Sequence, residues 1–349
     1  MIQTNTQLDA FLLRIENETE LAIDTEFKWV STYYPILCLI QIATENVAEC
    51  IDILAIENPQ PLFDKLYRQD SLWIAHAARN DIETLYQLSG QLPKQVFDTQ
   101  IAVDLLKHLH PDGSQISYQA LTELLQGVVL EKAYTRLDWT IRPLPKGAIE
   151  YALDDVRYLI KNYHQLKILL ENEKKMEWIM EEGRSLVHSD LYEVDLFQAW
   201  KKVKGFSCLA RHNRIFGVQL SAWRERQAID KNKPRRWVMK DETLIDYALN
   251  KATLIGQQQQ QFDEFLTTNP QLKKINSDMG KHIAPTAEEK ARKKALQKTI
   301  NNTAKHYNLD DKVIASGKTL LRYVGGDRSV NFLSGWRYQL LKEILKKDK

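Results

Sequence analysis

Three short apolar runs crowd into residues 20–54: ELAIDTEF (20–27), ILCLIQIA (36–43) and AECIDIL (48–54). The gaps between them are too short for a crossover helix, which favours antiparallel neighbours. SLWIAH (71–76) reads as a fourth strand and leads into NDIETLYQL, where Ile82, Leu85 and Tyr86 fall on a helical stripe. KQVFDTQIAVDLL reads as a fifth strand turning into a helix, and SYQALTELLQGV as another helix that Gly127 ends. A turn region, RLDWTIRPLPKG, precedes a long helix expected from about Pro145 to Glu173. Its residues Ile149, Leu153, Val156, Leu159, Ile160 and Tyr163 form one apolar stripe. Strands and helices in this order predict an α/β domain on a mixed five-stranded sheet.

Beyond residue 195 the strand signals stop and amphipathic helical segments rich in Lys, Arg and Trp take over. The spacing predicts three domains: 1–190, then helical domains at 191–283 and 284–349. Charge divides at the same place. Residues 1–190 carry 17 Lys+Arg against 29 Asp+Glu, whereas residues 191–349 carry 31 against 17. The basic half suits a polyanion, and the acidic half needs bound cations to approach one. No apolar run has membrane-spanning length, and MIQTNTQLDA lacks the features of a secretory signal. Three unclustered cysteines, Cys38, Cys50 and Cys208, argue against a disulfide framework or a zinc site and predict a cytoplasmic protein.

Within the opening strand, Asp24 and Glu26 are two apart and therefore share a face. Asp81 falls in the first turn of the helix after the fourth strand. Tyr151 and Asp155, four apart, share one helix face, and Asp154 is rotated away from it toward solvent. Taken singly these are ordinary features: a sheet edge, a helix cap, a chance spacing. As a set, each on the element that convergence requires, they point to catalysis. Four carboxylates in one cleft require cations to remain ionised, and oxygen-only ligands select Mg²⁺ or Mn²⁺. Two such ions about 4 Å apart can activate water and stabilise the leaving oxygen of a phosphodiester. Tyr151 would position that water, since a phenol with an ordinary pKa of about 10 is a poor base at neutral pH.

DTEF, HAARNDIE and YALDDVRYL resemble the three signature motifs of the DEDD exonuclease superfamily in its tyrosine branch; the histidine branch has His where this chain has Glu150. The likeness is strongest to the ribonuclease D family, through TYYP, LIQIA, FDTQIA and TRLDWTIRPL in that order. The basic half resembles that family's helicase-and-RNase-D C-terminal (HRDC) domains: AWKKVKGF through KDETLIDYA the first, VIASGKTLLRYV and FLSGWRYQL a divergent second. The resemblance implies a ribonuclease H-like α/β catalytic domain followed by two all-α HRDC-like domains. It implies that Asp24, Glu26, Asp81 and Asp155 ligate two divalent ions and that Tyr151 holds the attacking water. The implied reaction is 3′→5′ hydrolysis of RNA to nucleoside 5′-monophosphates, on tRNA precursors and other small structured RNAs. Where the family shows Arg shortly after DTEF, this chain has Trp29 beside Lys28, which alters that substrate contact or passes it to Lys28.

Lys28, His76, Arg136, Arg142, Lys201, Lys204, Arg235 and Arg236 are the candidate RNA contacts. For His76 a hydrogen-bonded residue lining the cleft is the plainer role, and for Arg136 an ion pair with Asp138 competes with a phosphate clamp. Asp98 reads as a structural carboxylate. Two rival functions carry different tests. A DNA exonuclease would use the same carboxylates, whereas a catalytically inactive RNA-binding scaffold would have no need of all four. A monomer without membrane association is expected.

Overall fold

In the computed structural model, residues 1–112, 115–131, 133–275 and 285–347 are described. Of these, residues 1–28, 37–192 and 285–347 form one compact unit, and Trp29–Ile36 with those between Glu193 and Ala284 form a second.

The first unit contains all five expected strands, β2 from its second residue on: β1 (Glu20–Lys28), β2 (Ile36–Ala43), β3 (Ala48–Asp52), β4 (Leu72–Ala75) and β5 (Gln95–Asp98). They form one sheet in the order β3-β2-β1-β4-β5. β2 and β3 pair antiparallel, with Ile40 opposite Ile51. β4 runs parallel to β1, with Leu21 opposite Trp73, and β5 runs parallel to β4, with Ile74 opposite Phe97. The sheet is therefore mixed, as the short connections of the first half and the helical crossovers of the second require.

Among the described residues, eight α-helices accompany this sheet: α1 (Asn5–Arg14), α2 (Gln60–Leu66), α3 (Arg79–Ser89), α4 (Thr99–Leu105), α5 (Tyr118–Gln126), α6 (Lys146–Arg157), α7 (Leu159–Asn172) and α8 (Met176–Ser185). The side-chain alternation of β1 sorts them into two layers. Leu21 and Ile23 enter a core with Phe11 of α1, Leu66 of α2 and Ile82 of α3. Ala22 faces the opposite core, with Val103 of α4, Leu121 of α5, Val156 of α6 and Leu166 of α7. Period two then places Asp24 and Glu26 on the side of α6 and α7. The single long helix expected from Pro145 to Glu173 is instead two, α6 and α7, separated at Tyr158. α6 packs against β1 and β3 while α7 packs against β1 and β4, so the chain changes direction between them.

The second unit is helical: α9 (Arg211–Asp230), α10 (Arg235–Val238), α11 (Asp241–Ala248) and α12 (Gln257–Thr268), packed around Val218, Trp223, Leu244 and Phe262. It also takes in the residues just after β1. Tyr33 donates its hydroxyl to Glu225 Oε1 at 2.5 Å, and the backbone amide of Tyr33 donates to Asn232 Oδ1 at 3.0 Å.

α13 (Ala287–His306), α14 (Asp311–Ile314), α15 (Gly317–Val324) and α16 (Gly335–Lys347) return to the first unit. Leu296, Ile300, Phe332 and Trp336 share one core with Val103, Leu166 and Ile179. Trp336 stacks on Trp178 with centroids 4.7 Å apart and donates its indole N–H to Glu182 at 2.6 Å. The boundary expected at residues 283 and 284 lies outside the described residues. Among the described residues, no helix is long and apolar enough to cross a membrane.

Candidate active site

The parallel strands β4 and β5 end together, at Ala75 and Asp98, beside the middle of β1, which runs on to Lys28, and the acidic residues collect at that end of the sheet. Asp24 and Glu26 come from β1 and Asp155 from α6. One carboxylate oxygen from each lies within 4.8 Å of the other two. Asp81 arrives from the first turn of α3, buried, with Thr25 Oγ1 donating to its Oδ1 at 2.5 Å. Thr25 is the residue between Asp24 and Glu26, so strand alternation aims it at α3 while its neighbours face α6. One tripeptide thereby serves both sides of the edge.

The turn that presents Asp81 is held by Asp98 at the end of β5. Asp98 Oδ1 accepts from the amide of Ala77 at 3.0 Å and from that of Gln100 at 2.9 Å, and Oδ2 accepts from the amide of Ala78 at 2.9 Å. Ala77 has φ of 59°, a left-handed conformation that costs a residue with a Cβ about 1 kcal/mol. The three amide bonds offset that cost. Asp98 is structural, as read from the sequence.

Electrostatics inside the cluster is unfavourable without a counter-charge. Burial, then repulsion from Asp81, Asp155 and Glu26, pushes the Asp24 carboxyl well above its ordinary range. Burial and the charges of Asp155 and Asp81 push Glu26 up to about 8. Asp81 and Asp155 rise to about 7, chiefly through burial. A set of half-buried, oxygen-only, mutually repelling donors fits a hard divalent cation: the ion supplies the opposite charge, and its preferred ligands are those present. Asp24, Glu26 and Asp155 could hold it directly. Asp81 lies outside that three-residue group but within electrostatic reach of it.

Tyr151 lies one turn before Asp155 on α6. Its ring stacks on Trp139 at 6.3 Å and meets Tyr134 edge-on at 6.0 Å. Burial and the charge of Asp155 push its hydroxyl up to about 12, so the phenol keeps its proton at neutral pH.

Residues 1–171 match the family model described as 3′-5′ exonuclease. Ribonuclease D of Bartonella henselae is 32% identical over 97% of this chain and 87% of its own length, and that of Nitrobacter hamburgensis 30% identical over 98% and 93%. The chain belongs to the ribonuclease D family. A crystal structure of Escherichia coli RNase D matches the fold with a TM-score of 0.83, at 24% identity, across 100% of this chain and 97% of that one. The family's catalytic fold and helical carboxyl-terminal part are thus both present.

Several of the expected RNA contacts are engaged within the protein. Arg142 grips the buried Asp52, Nε to Oδ2 at 2.6 Å and Nη2 to Oδ1 at 2.5 Å. His76 has Thr99 Oγ1 at 3.0 Å from Nδ1 and the carbonyl of Ile116 at 3.1 Å from Nε2, and burial lowers its pKa. Lys28 pairs with Asp138 at 2.6 Å. The Arg136–Asp138 pair weighed from the sequence is therefore replaced: Asp138 takes Lys28, brought next to it by β1, and Arg136 stays exposed. In the helical unit Arg235 donates to Glu225 at 3.1 Å, and Arg236 pairs with Glu242 at 3.5 Å on the surface. Lys204 is exposed, and Lys201, also exposed, lies over the Trp200 ring at 5.9 Å. Sequence reading missed Thr25, whose only signal was its place between two acidic residues.

Proposed function

We propose that this chain is a metal-dependent 3′→5′ exoribonuclease that removes nucleotides from RNA 3′ ends as nucleoside 5′-monophosphates. The observation that carries the reading is the meeting of Asp24, Glu26 and Asp155 within 4.8 Å, with Asp81 beside them. These four residues would hold two divalent cations, Mg²⁺ or Mn²⁺. When bound, such ions activate water and neutralise charge on the leaving oxygen.

The chain's own groups do the rest. Thr25 fixes the orientation of Asp81, and Asp98 fixes the turn that carries it. Tyr151, protonated at neutral pH, orients the attacking water through its hydroxyl, while Trp139 and Tyr134 keep its ring in place. Exposed Arg136, Lys201 and Lys204 are the remaining candidates for phosphate contacts. Three free cysteines suit a reducing cytoplasm, and a monomer suffices, because every group named in the reaction belongs to one chain.

Structured RNAs, tRNA precursors among them, are the substrate class we infer; the Escherichia coli relative is described as an exoribonuclease involved in structured RNA processing. Product analysis on a 3′-extended tRNA tests the reading. Mononucleotides carrying 5′-phosphate should accumulate with Mg²⁺ or Mn²⁺ and cease with chelator. Asp155→Asn should abolish hydrolysis while leaving RNA binding nearly intact. Faster degradation of a matched DNA oligonucleotide would favour a DNA exonuclease, and binding without hydrolysis an inactive scaffold.

A further inference from the structure

Tyr151 is held by groups that come from one segment of chain. Trp139 stacks on its ring, Tyr134 meets its edge, and the Thr135 side chain hydrogen-bonds its hydroxyl. Tyr134 in turn crosses α6 one turn earlier, at Gly147, where a Cβ would lie 2.4 Å from the tyrosine hydroxyl oxygen. A larger residue there would push Tyr134 aside, so glycine keeps its path open. The orientation of Tyr151 is therefore set by where residues 134–142 lie.

Those residues run as turns and irregular chain, and their backbone bonds are local: Leu137 to Tyr134 at 2.9 Å and Ile141 to Asp138 at 3.2 Å. Side chains pin the segment to the sheet at two points. At its far end Arg142 grips Asp52 of β3 and donates to the carbonyl of Cys38 in β2 at 3.4 Å. Nearer Tyr151, Lys28 Nζ donates to Asp138 Oδ2 at 2.6 Å and lies 3.4 Å from Thr140 Oγ1. Thr140 closes the turn on Asp138 Oδ1, through its hydroxyl at 2.6 Å and its amide at 3.1 Å. Lys28 first, then Thr140, hold the Asp138 carboxyl down at about 2, so the pair is charged at neutral pH.

Lys28 ends β1, two residues beyond Glu26 and four beyond Asp24, so the three share one face of the strand. Asp138 adjoins Trp139 in the chain. One strand thus carries two acids of the site and the ammonium that anchors the support of Tyr151. A substrate contact calls for a free, extended ammonium; this one is engaged by Asp138, and only 28% of its side chain is exposed.

We propose that Lys28 is a positioning residue for hydrolysis: through Asp138 it ties the segment bearing Trp139 to the strand bearing Glu26, and so fixes the Tyr151 hydroxyl relative to the carboxylates. The inference rests on the exoribonuclease reading above, in which that hydroxyl orients the attacking water.

The test measures kcat and KM of the full chain on a short oligoadenylate with Mg²⁺. Lys28→Met, Asp138→Asn and their combination are each made in the parent and in a Tyr151→Phe background. In the parent, each single change should lower kcat about tenfold and leave KM in place, as expected when a reacting group is misplaced by a fraction of an ångström. The combination should lower it no further, because both changes break one pair. In the Tyr151→Phe background neither should lower kcat by as much as about twofold, because the hydroxyl being placed is gone. Lys28→Arg, which still reaches Asp138, should keep most of the rate. Both side chains are partly exposed, so melting temperatures should stay near the parent's. An equal fall in the two backgrounds would overturn the proposal. A raised KM with unchanged kcat in Lys28→Met, the sign of a lost substrate contact, would overturn it too.

A readout without turnover separates this inference from the reading beneath it. Trypsin cleavage after the exposed Arg136 should quicken about tenfold or more in Lys28→Met, because the segment opens more readily once unpinned. Unchanged cleavage would overturn the proposal. A parent chain that frees no mononucleotide, while Lys28→Met still loosens the segment, would count against the exoribonuclease reading alone.

Discussion

Thr25 donates its hydroxyl to Asp81 at 2.5 Å, joining the centre of β1 to the first turn of α3. This bond is what keeps a buried carboxylate from an adjacent helix aimed at the pair on the strand. Removing it should therefore affect both stability and catalysis. Thr25→Val keeps the shape and deletes the donor. We expect turnover to fall about 10- to 100-fold, as for other residues that orient metal ligands. Stability should drop by about 1–3 kcal/mol where Asp81 is ionised, the cost of an unsatisfied buried acceptor. Thr25→Ser should recover most of the activity; equal losses in Ser and Val variants would show that the hydroxyl is irrelevant.

The cluster's acidity predicts how the cation-free protein responds to pH. Glu26 titrates near 8 and Asp81 and Asp155 near 7 when folded, against ordinary values of 4.5 and 3.8. The folded chain thus binds more protons than the unfolded chain between about pH 4 and 8, and its stability falls as pH rises through that window. Melting temperature with chelator should decline from acid toward mildly alkaline pH. Glu26→Gln should flatten the decline, and Mg²⁺ should raise the melting point most at the alkaline end. A profile indifferent to both would mean that the carboxylates do not interact as placed.

Tyr151 acts, in our reading, with its proton on. Tyr151→Phe should reduce kcat by about a hundredfold through lost positioning, with the alkaline limb of the rate profile unchanged between pH 7 and about 9. Should that limb disappear with the hydroxyl, the phenol would be a base rather than an orienting group.

Asp52 and Arg142, 90 residues apart, form a bidentate pair whose acidic member is buried. Arg142→Ala strands that charge and should cost about 3 kcal/mol, measured by denaturant unfolding. Arg142→Met combined with Asp52→Asn should cost clearly less, because no lone charge remains. The pair holds Asp52 below its usual carboxylate range, so its contribution is present above about pH 4 and lost in acid.

Much of the site was legible in advance because its signals are local. Asp24 and Glu26 share a strand face by period two, and Tyr151 and Asp155 share a helix face by the spacing of four; neither inference needs the rest of the chain. The cationic side chains were harder to read. Arg142 looks like any exposed arginine until β3 brings Asp52 beside it, and Lys28 looks like a substrate contact until the turn at residues 136–142 offers it Asp138. Long flexible side chains take whatever partner comes within reach, and reach is set by packing.

From its residues alone the chain settled the number of its strands and their order along the sequence, that Asp24 and Glu26 share one strand face, and the division of charge between its halves, because steric periodicity and burial act over a few residues at a time. Only the folded chain decided that Thr25 would be the donor to Asp81, that Tyr33 would join the helices after residue 193, and that Trp336 would stack on Trp178. Those outcomes depend on which buried polar and aromatic groups must find partners across tens or hundreds of residues, and that is resolved only when the cores close.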